Sequence, residues 1–204
     1  MKISLTNCGK RFNRDWIFRN FNYQFLAGQH YAITGPNGSG KSTLLQVIGG
    51  ALVTSEGSIS YEGASTISID DVFRQIAIAA PYLEVIEEMT LAEFLQFHQQ
   101  FKPFLKGITA KHTISLAGLT AAENKQIRYY SSGMKQRVKL IQAIFSDVDC
   151  LLLDEPCTNL DTEGIQLYQQ LIHEFANNRT IIVSSNDIQE YGFCEHVIRI
   201  TDYK

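Results

Sequence analysis

The spacing of apolar residues divides this chain into segments with the period of a strand and segments with the period of a helix. Short alternating patterns over residues 2–6 and 22–26 predict two antiparallel strands. Residues 149–154 are apolar between two aspartates, which is typical of a strand in the middle of a parallel sheet. Further strands are predicted at 29–34, 57–61, 180–184 and 196–200.

In the middle of the chain the apolar period becomes helical. Thr90 and Glu93 form a capping box, and apolar side chains follow them at helical spacing. Further helices are predicted from 109 to about 117, after 131–132, and from 161 to about Asn177. Because strands of the parallel type alternate with helices around this region, the pattern predicts an α/β fold. It has a mixed sheet core, N-terminal antiparallel strands and a helical insertion.

Composition restricts the class of protein. The chain has 204 residues, of which 45% are hydrophobic and 19% are charged, as in an ordinary soluble domain. The net charge of -3 gives no electrostatic steering toward nucleic acid, so no nucleic-acid partner is expected. We expect neither a signal peptide nor a membrane span, because the N-terminus is polar and no apolar run is long enough. The four cysteines show no metal-ligand spacing, which favours ordinary thiols in a reducing cytoplasm.

The strongest chemical signal is a glycine-rich loop between a predicted strand and a predicted helix. Its residues fit the pattern G-x-x-x-x-G-K-[ST] and are Gly35, Pro36, Asn37, Gly38, Ser39, Gly40, Lys41, Ser42 and Thr43. Backbone N–H groups at a helix N-terminus form a cradle for the β-phosphate of a nucleotide. Lys41 adds a positive charge at the β- and γ-phosphates, and the Ser42 hydroxyl is a ligand for Mg²⁺. A chance glycine-rich turn is the alternative, but such a match arises in only about one chain in a hundred of this size.

Two adjacent carboxylates follow the apolar run at 149–154. Ligands collect at the carboxyl ends of strands in open α/β sheets, so this position favours a functional role. Asp154 is predicted to hold Mg²⁺, directly or through water, and Glu155 to act as general base or to position the attacking water. The alternative is a solvated pair at the end of a strand.

A helix start just upstream carries a second anion-binding signal. Ser131 can cap the helix, and Gly133 lets the backbone approach an anion at the helix N-terminus. Taken alone, this segment is only the beginning of a helix.

Taken in order, these motifs resemble those of the nucleotide-binding domain of ABC ATPases along nearly the whole chain. The loop at 35–43 and the segment at 131–156 match in spacing, and Asp161 matches the aspartate of the family's D-loop. The segment at 130–134 stands where the family has its Leu-Ser-Gly-Gly-Gln signature. The resemblance implies a P-loop NTPase fold of the ABC type in one domain, 1–204. A core lobe would cover 1–80 and 147–204, and a helical subdomain 81–146.

The resemblance also implies a composite site. In the family, two domains pair head-to-tail and enclose two ATP molecules, so Ser131 and Gly133 would act on the nucleotide of a partner. Phe12 stands where the family stacks an aromatic ring on adenine, and Trp16 is a second candidate. An ordinary packed aromatic residue is the alternative for Phe12.

Three positions depart from the family pattern. Pro81 replaces the glutamine of the Q-loop and has no side-chain group to ligate a metal, although Glu84 or Glu87 is a partial substitute. Asn186 replaces the switch histidine and can still donate a hydrogen bond, so it stays a catalytic candidate. In the signature, Ser132 and Met134 replace glycine and glutamine. The combination predicts tight MgATP binding with slow hydrolysis.

The family resemblance implies an ATP-binding and ATP-hydrolysing subunit of a transporter. It would pair with a second ATPase domain, identical or different, and with a separate transmembrane permease subunit. We expect the permease to dock on the helical insertion and on residues 81–89, where Leu83, Val85 and Ile86 are apolar, unless these residues simply pack in the core. The expected location is cytoplasmic and peripheral, on the inner face of the cell membrane.

Two other functions compete with this one. A nucleotide-gated binding module outside transport is favoured by the altered Q-loop. A small P-loop kinase would need an arginine-rich lid, whereas the segment after Gly118 shows only Arg128.

Overall fold

The computed structural model describes residues 1–176 and 178–204, which fold into two sheets and the helices packed on them. The strands are β1 Lys2–Phe12, β2 Asp15–Phe25, β3 His30–Thr34, β4 Glu56–Glu62, β5 Thr66–Ile67, β6 Ile76–Ala79, β7 Cys150–Asp154, β8 Thr180–Ser184 and β9 His196–Arg199. The α-helices are α1 Lys41–Ile48, α2 Leu91–Gln99, α3 Ala110–Leu116, α4 Ser132–Ile144, α5 Thr162–Phe175 and α6 Ile188–Tyr191. Short 3₁₀ helices cover Val72–Arg74, Thr120–Ala122, Ile127–Tyr129 and Ile200–Tyr203.

The N-terminal strands form an antiparallel sheet in the order β2-β1-β4-β5. The hairpin β1–β2 is much longer than the two short strands expected from the sequence, which covered only one end of each. Register shifts interrupt the pairing between Leu5 and Arg11, so the apolar alternation is broken in the middle of the hairpin. At its tip Asn13 has φ 54, a left-handed conformation that asparagine tolerates in tight turns.

The second sheet is parallel, in the order β6-β7-β8-β3-β9. Every residue of β7 and β8 is buried, as the apolar runs predicted. Strand β6 was missed, because its four residues carry no flanking turn signal. The order places the carboxyl ends of β6, β7, β8 and β3 side by side along one edge.

The helices that the sequence predicted begin close to their expected starts, whereas the short helix α6 was not predicted. The capping box of Thr90 and Glu93 is present at the start of α2, and the Ser131 side chain caps α4. Helix α5 begins after Asp161, and its expected end at Asn177 lies outside the described residues. None of the helices in the described part of the chain is long and apolar enough to cross a membrane.

Two apolar cores cover the two faces of the parallel sheet. Leu151 and Leu153 of β7 pack with α2–α5, whereas Leu152 between them packs with α1 and the antiparallel sheet. Successive residues of a strand point to opposite faces, so one apolar run supplies both cores. The predicted α/β fold is confirmed, with the parallel and antiparallel strands in separate sheets. Helices α2–α4 lie between β6 and β7 in the chain, and the division into a core lobe and a helical subdomain stays a prediction.

Candidate nucleotide-binding site

The glycine-rich loop runs from the end of β3 to the first residue of α1, as the sequence predicted. Gly40 immediately precedes α1 with φ 103, a conformation that side chains rarely adopt. A Cβ on Gly40 would lie 2.3 Å from Cγ2 of Ile17, on strand β2. Glycine is therefore required here both by the backbone and by the hairpin that covers the loop.

Lys41 lies inside the loop. Its side chain is buried, and Nζ donates a hydrogen bond of 2.7 Å to the carbonyl oxygen of Gly35. A pocket of about 200 Å³ opens beside it and is lined by Ile17, Asn37, Gly38, Gly40, Lys41, Ser42, Thr43 and Glu155. The loop therefore holds an ammonium group and several backbone N–H groups around one small pocket, which suits an anionic phosphate chain.

Asp154 fits a metal ligand. It is 2% exposed at the end of β7, and its Oδ1 has no hydrogen-bond partner among the described residues. Buried carboxylates are normally paired or bound to a metal, so this oxygen indicates a cation site. No group of three or more His, Cys, Asp or Glu side chains that could hold a metal occurs in the described residues. This donor set suits Mg²⁺, which is commonly held by one or two carboxylates together with substrate phosphates and water.

Glu155 is turned out of the strand by its own backbone. It has φ 41, which is uncommon for a residue other than glycine, and its N–H donates to the carbonyl of Ser184 at 2.9 Å. The side chain lines the P-loop pocket and also an adjacent cavity of about 400 Å³ that includes Asn186. The two adjacent carboxylates thus occupy different surroundings: Asp154 is buried, and Glu155 faces the pocket.

Asn186 lies directly at the P-loop. Its Oδ1 accepts a hydrogen bond of 3.0 Å from the N–H of Gly35. Because a backbone N–H can only donate, this contact assigns the oxygen of the amide and leaves the NH₂ group as a donor. The structure therefore brings Lys41, Glu155 and Asn186 together at the P-loop, and Asp154 directly precedes Glu155 in the chain.

The signature segment, residues 130–134, lies outside the P-loop pocket. Ser131 Oγ accepts from the N–H of Met134 at 3.2 Å, and a Cβ on Gly133 would lie 3.0 Å from the carbonyl oxygen of Asn159. Asp161 caps α5 and pairs with Arg137 of α4 at 3.4 Å. These residues line a cavity of about 450 Å³, and none of its described lining residues also lines the P-loop pocket. Ser131, Gly133 and Asp161 thus lie apart from the nucleotide pocket of their own chain.

The two candidates for adenine stacking differ in how they are covered. The Trp16 ring lies under the guanidinium of Arg19, with 4.3 Å between its Cζ and the ring centre. Phe12 is 47% exposed at the end of β1, with Lys10 Nζ 5.2 Å from its ring centre. Phe12 therefore offers the more accessible ring, although neither lines the P-loop pocket.

The loop after β6 shows what replaces the Q-loop glutamine. Pro81 is the second residue of a turn closed by the bond from Leu83 N–H to the carbonyl of Ala80, and Lys139 Nζ donates to the Pro81 carbonyl at 2.8 Å. Glu87 forms an ion pair with Lys135 of α4, so it is already engaged.

The apolar residues of this loop differ in exposure. Leu83 and Ile86 are exposed, whereas Val85 is buried in the core and so is no contact surface, which corrects the expectation that all three are available.

Two residues that the sequence did not single out support the segment after Glu155. The side chain of Gln136 in α4 donates to the carbonyl of Pro156 at 2.7 Å, and Glu190 in α6 accepts from the N–H of Cys157 at 2.6 Å. Burial raises the pKa of the Glu190 carboxyl. A polar residue on the apolar face of α4, such as Gln136, is the sequence signal that was available for this role.

Comparison with known proteins agrees with the motifs. A family model described as ABC transporter matches residues 18–158, more than half of the chain. The lantibiotic transport ATP-binding protein SrtF of Streptococcus pyogenes is 30% identical over 194 residues, which cover 92% of this chain and 81% of SrtF. The uncharacterized ABC transporter ATP-binding protein YybJ of Bacillus subtilis is 29% identical over 185 residues, covering 90% of this chain and 85% of YybJ.

The fold also matches solved structures. The ATP-binding cassette MJ0796, solved as a dimer in a post-hydrolysis state with ADP and phosphate bound, superimposes with a TM-score of 0.83 at 24% identity. The match covers 97% of this chain and 94% of that one.

Proposed function

The chain belongs to the ABC transporter family, and on this basis we propose that it binds and hydrolyses ATP and couples MgATP-driven dimer closure to a separate membrane subunit. The observation that carries the proposal is the buried Asp154 Oδ1, which has no hydrogen-bond partner among the described residues and precedes Glu155, a residue of the pocket that holds Lys41. A carboxylate oxygen favours a cation, and the P-loop favours an anion. Together they suit a metal-bound phosphate better than a metal cation alone or a phosphate alone.

Each residue of the pocket then has one role. Lys41 exchanges its bond to the Gly35 carbonyl for phosphate oxygens, and the backbone N–H groups of 38–43 surround the β-phosphate. Ser42 and Asp154 hold Mg²⁺, which would offset the negative charge of the phosphates. Glu155, turned toward the pocket by its backbone, orients the attacking water and accepts its proton.

A second ATPase domain completes the site. Ser131 and Gly133 present a capped helix N-terminus on a surface separate from the P-loop pocket, so they would contact the nucleotide of a partner. Asp161 lies on the same surface. The partner is an identical chain or a related one.

We expect hydrolysis to be slow. Pro81 offers no donor or acceptor side chain, and the amide oxygen of Asn186 is engaged by Gly35. Loss of one preorganised donor typically costs about 3–4 kcal/mol of transition-state stabilisation, or two to three decades in turnover.

The membrane subunit would dock at a groove formed by residues 49–51, the segment 69–83 and helices α2 and α4. This groove has a volume of about 430 Å³ and includes the exposed side chains of Ile69, Phe73 and Leu83. Leu83 is two residues from Pro81, so the groove adjoins the loop after β6. Docking there would hold the chain at the inner face of the membrane.

The proposal is tested by calorimetry and size-exclusion chromatography with MgATP. Wild type should bind MgATP, Lys41→Ala should not, and Glu155→Gln should form a more persistent ATP-dependent dimer while releasing less phosphate. Failure of wild type to bind adenine nucleotides would refute the proposal. A chain that binds ATP but copurifies with no membrane protein would indicate a nucleotide-gated module instead.

A further inference from the structure

We propose that the hydroxyl of Tyr82 takes over, beside the bound metal, the place of the glutamine that the Q-loop lacks. The inference rests on the proposed MgATP site, and it concerns the side chain that follows Pro81 rather than Pro81 itself. Tyr82 would donate a hydrogen bond to an oxygen around Mg²⁺, either a phosphate oxygen or a water molecule.

The pairing of β6 with β7 places the turn that carries Tyr82 next to the end of β7. Strand β6 pairs with β7 in parallel, with Ala79 opposite Leu153, so Ala80 comes level with Asp154, the last residue of β7. The turn at 80–83 therefore begins beside Asp154. Tyr82 is the first residue after β6 whose side chain carries a polar group.

The turn itself is held in place. Leu83 N–H bonds to the carbonyl of Ala80 at 3.2 Å, which closes a turn with Pro81 in its second position, a common site for proline. From α4, Lys139 Nζ contacts the carbonyl of Pro81 at 2.8 Å and that of Ala80 at 3.4 Å. Tyr82 therefore projects from a short, closed turn rather than from a free loop.

The Tyr82 hydroxyl has two polar neighbours. It interacts with the side chain of Gln46 and with the charge of Asp154. Gln46 lies one helical turn after Ser42 in α1, and residues four apart share a helix face. The hydroxyl is thus bounded by the two elements that supply the proposed metal ligands Ser42 and Asp154.

The chemistry of the phenol fits this position. Although 44% of Tyr82 is exposed, its hydroxyl is the end of the side chain that approaches Gln46 and Asp154. A neutral O–H both donates and accepts, as a glutamine amide does, so it can bond to oxygens around a cation without adding charge.

The experiment compares ATP affinity with Mg²⁺ and with EDTA by calorimetry, in a Glu155→Gln background that prevents turnover. Tyr82→Phe removes only the hydroxyl. We expect it to leave affinity in EDTA unchanged and to reduce the gain in affinity from Mg²⁺ by about five-fold, the size of one ordinary hydrogen bond. Tyr82→Gln, which restores an amide donor, should keep most of the gain.

Tyr23→Phe is the matched control. Tyr23 is a partly buried tyrosine six residues along β2 from Ile17, about 20 Å from the P-loop pocket. Its substitution should leave the Mg²⁺ gain as in the parent. An unchanged gain in Tyr82→Phe would overturn the inference while leaving the proposed function intact, whereas no ATP binding by the parent would refute the function itself.

Discussion

The contact between Gly40 and Ile17 allows a quantitative test of how the antiparallel hairpin covers the P-loop. Gly40→Ala adds a methyl group at φ 103, and that group would lie 2.3 Å from Cγ2 of Ile17. Two costs result. A left-handed backbone costs a residue other than glycine about 1–2 kcal/mol, and overpacking costs about 1–3 kcal/mol more.

Gly38 separates the two costs. It also has a positive φ, of 76, but a Cβ there would have no heavy atom within 4 Å apart from its chain neighbours. Gly38→Ala should therefore lose about 1–2 kcal/mol of unfolding free energy, and Gly40→Ala about 2–5 kcal/mol. Ile17→Ala removes the opposing methyl group, so in that background Gly40→Ala should cost only as much as Gly38→Ala.

Urea unfolding without nucleotide, followed by circular dichroism, measures these differences by linear extrapolation. The coupling between positions 17 and 40 should be about 1–3 kcal/mol. Equal losses for the two glycine variants, with no relief from Ile17→Ala, would refute the reasoning. The hairpin would then not rest on the loop, and Ile17 would not belong to the wall of the pocket.

Three further outcomes are expected. Asp154→Asn should abolish the effect of Mg²⁺ on ATP affinity, since it removes the charge of the unpartnered oxygen, and a calorimetric Mg²⁺ titration that matches wild type would contradict this. Asn186→His should raise phosphate release by at least ten-fold if the missing switch histidine limits turnover, and an unchanged rate would place the limit elsewhere. Burial raises the pKa of Glu190 in the folded state above the value of about 4.5 that it has in the unfolded chain. The stability that the protonated carboxyl contributes is therefore present below pH 4.5, and it is lost as the pH rises through the folded-state pKa. Glu190→Gln should flatten this pH dependence in thermal melts, and identical slopes for both proteins would show that Glu190 is not the group responsible.

The sequence predicted most of the fold where its signals are local. The wholly apolar runs of β7 and β8, the capping box at Thr90 and the cap at Ser131 each depend on residues within a few positions of one another. Strand β6 and the middle of the β1–β2 hairpin were missed, because a four-residue strand and a bulged strand show no regular period.

The candidate site was predictable as a set of motifs but not as an arrangement. The glycine-rich loop and the adjacent carboxylates have fixed spacing, so their proximity could be inferred from the resemblance alone. The bond from Gly35 to Asn186 joins residues 151 positions apart, and the position of the turn at 80–83 beside Asp154 depends on the pairing of β6 with β7. Such contacts come from topology, and no local pattern encodes them.

The signature helix packs closely on the loop that begins at Glu155: Gly133 leaves no free space for a side chain against the carbonyl of Asn159, and Arg137 pairs with Asp161. Only five residues separate Glu155, in the P-loop pocket, from Asp161, on the surface that we propose faces a partner. If the phosphates of a partner's nucleotide shifted that surface, the short segment 156–160 would carry the shift to the carboxylate of Glu155. In a pair of such chains, each site would depend on the other in this way. Hydrolysis at one nucleotide site would then depend on whether the other site holds a nucleotide.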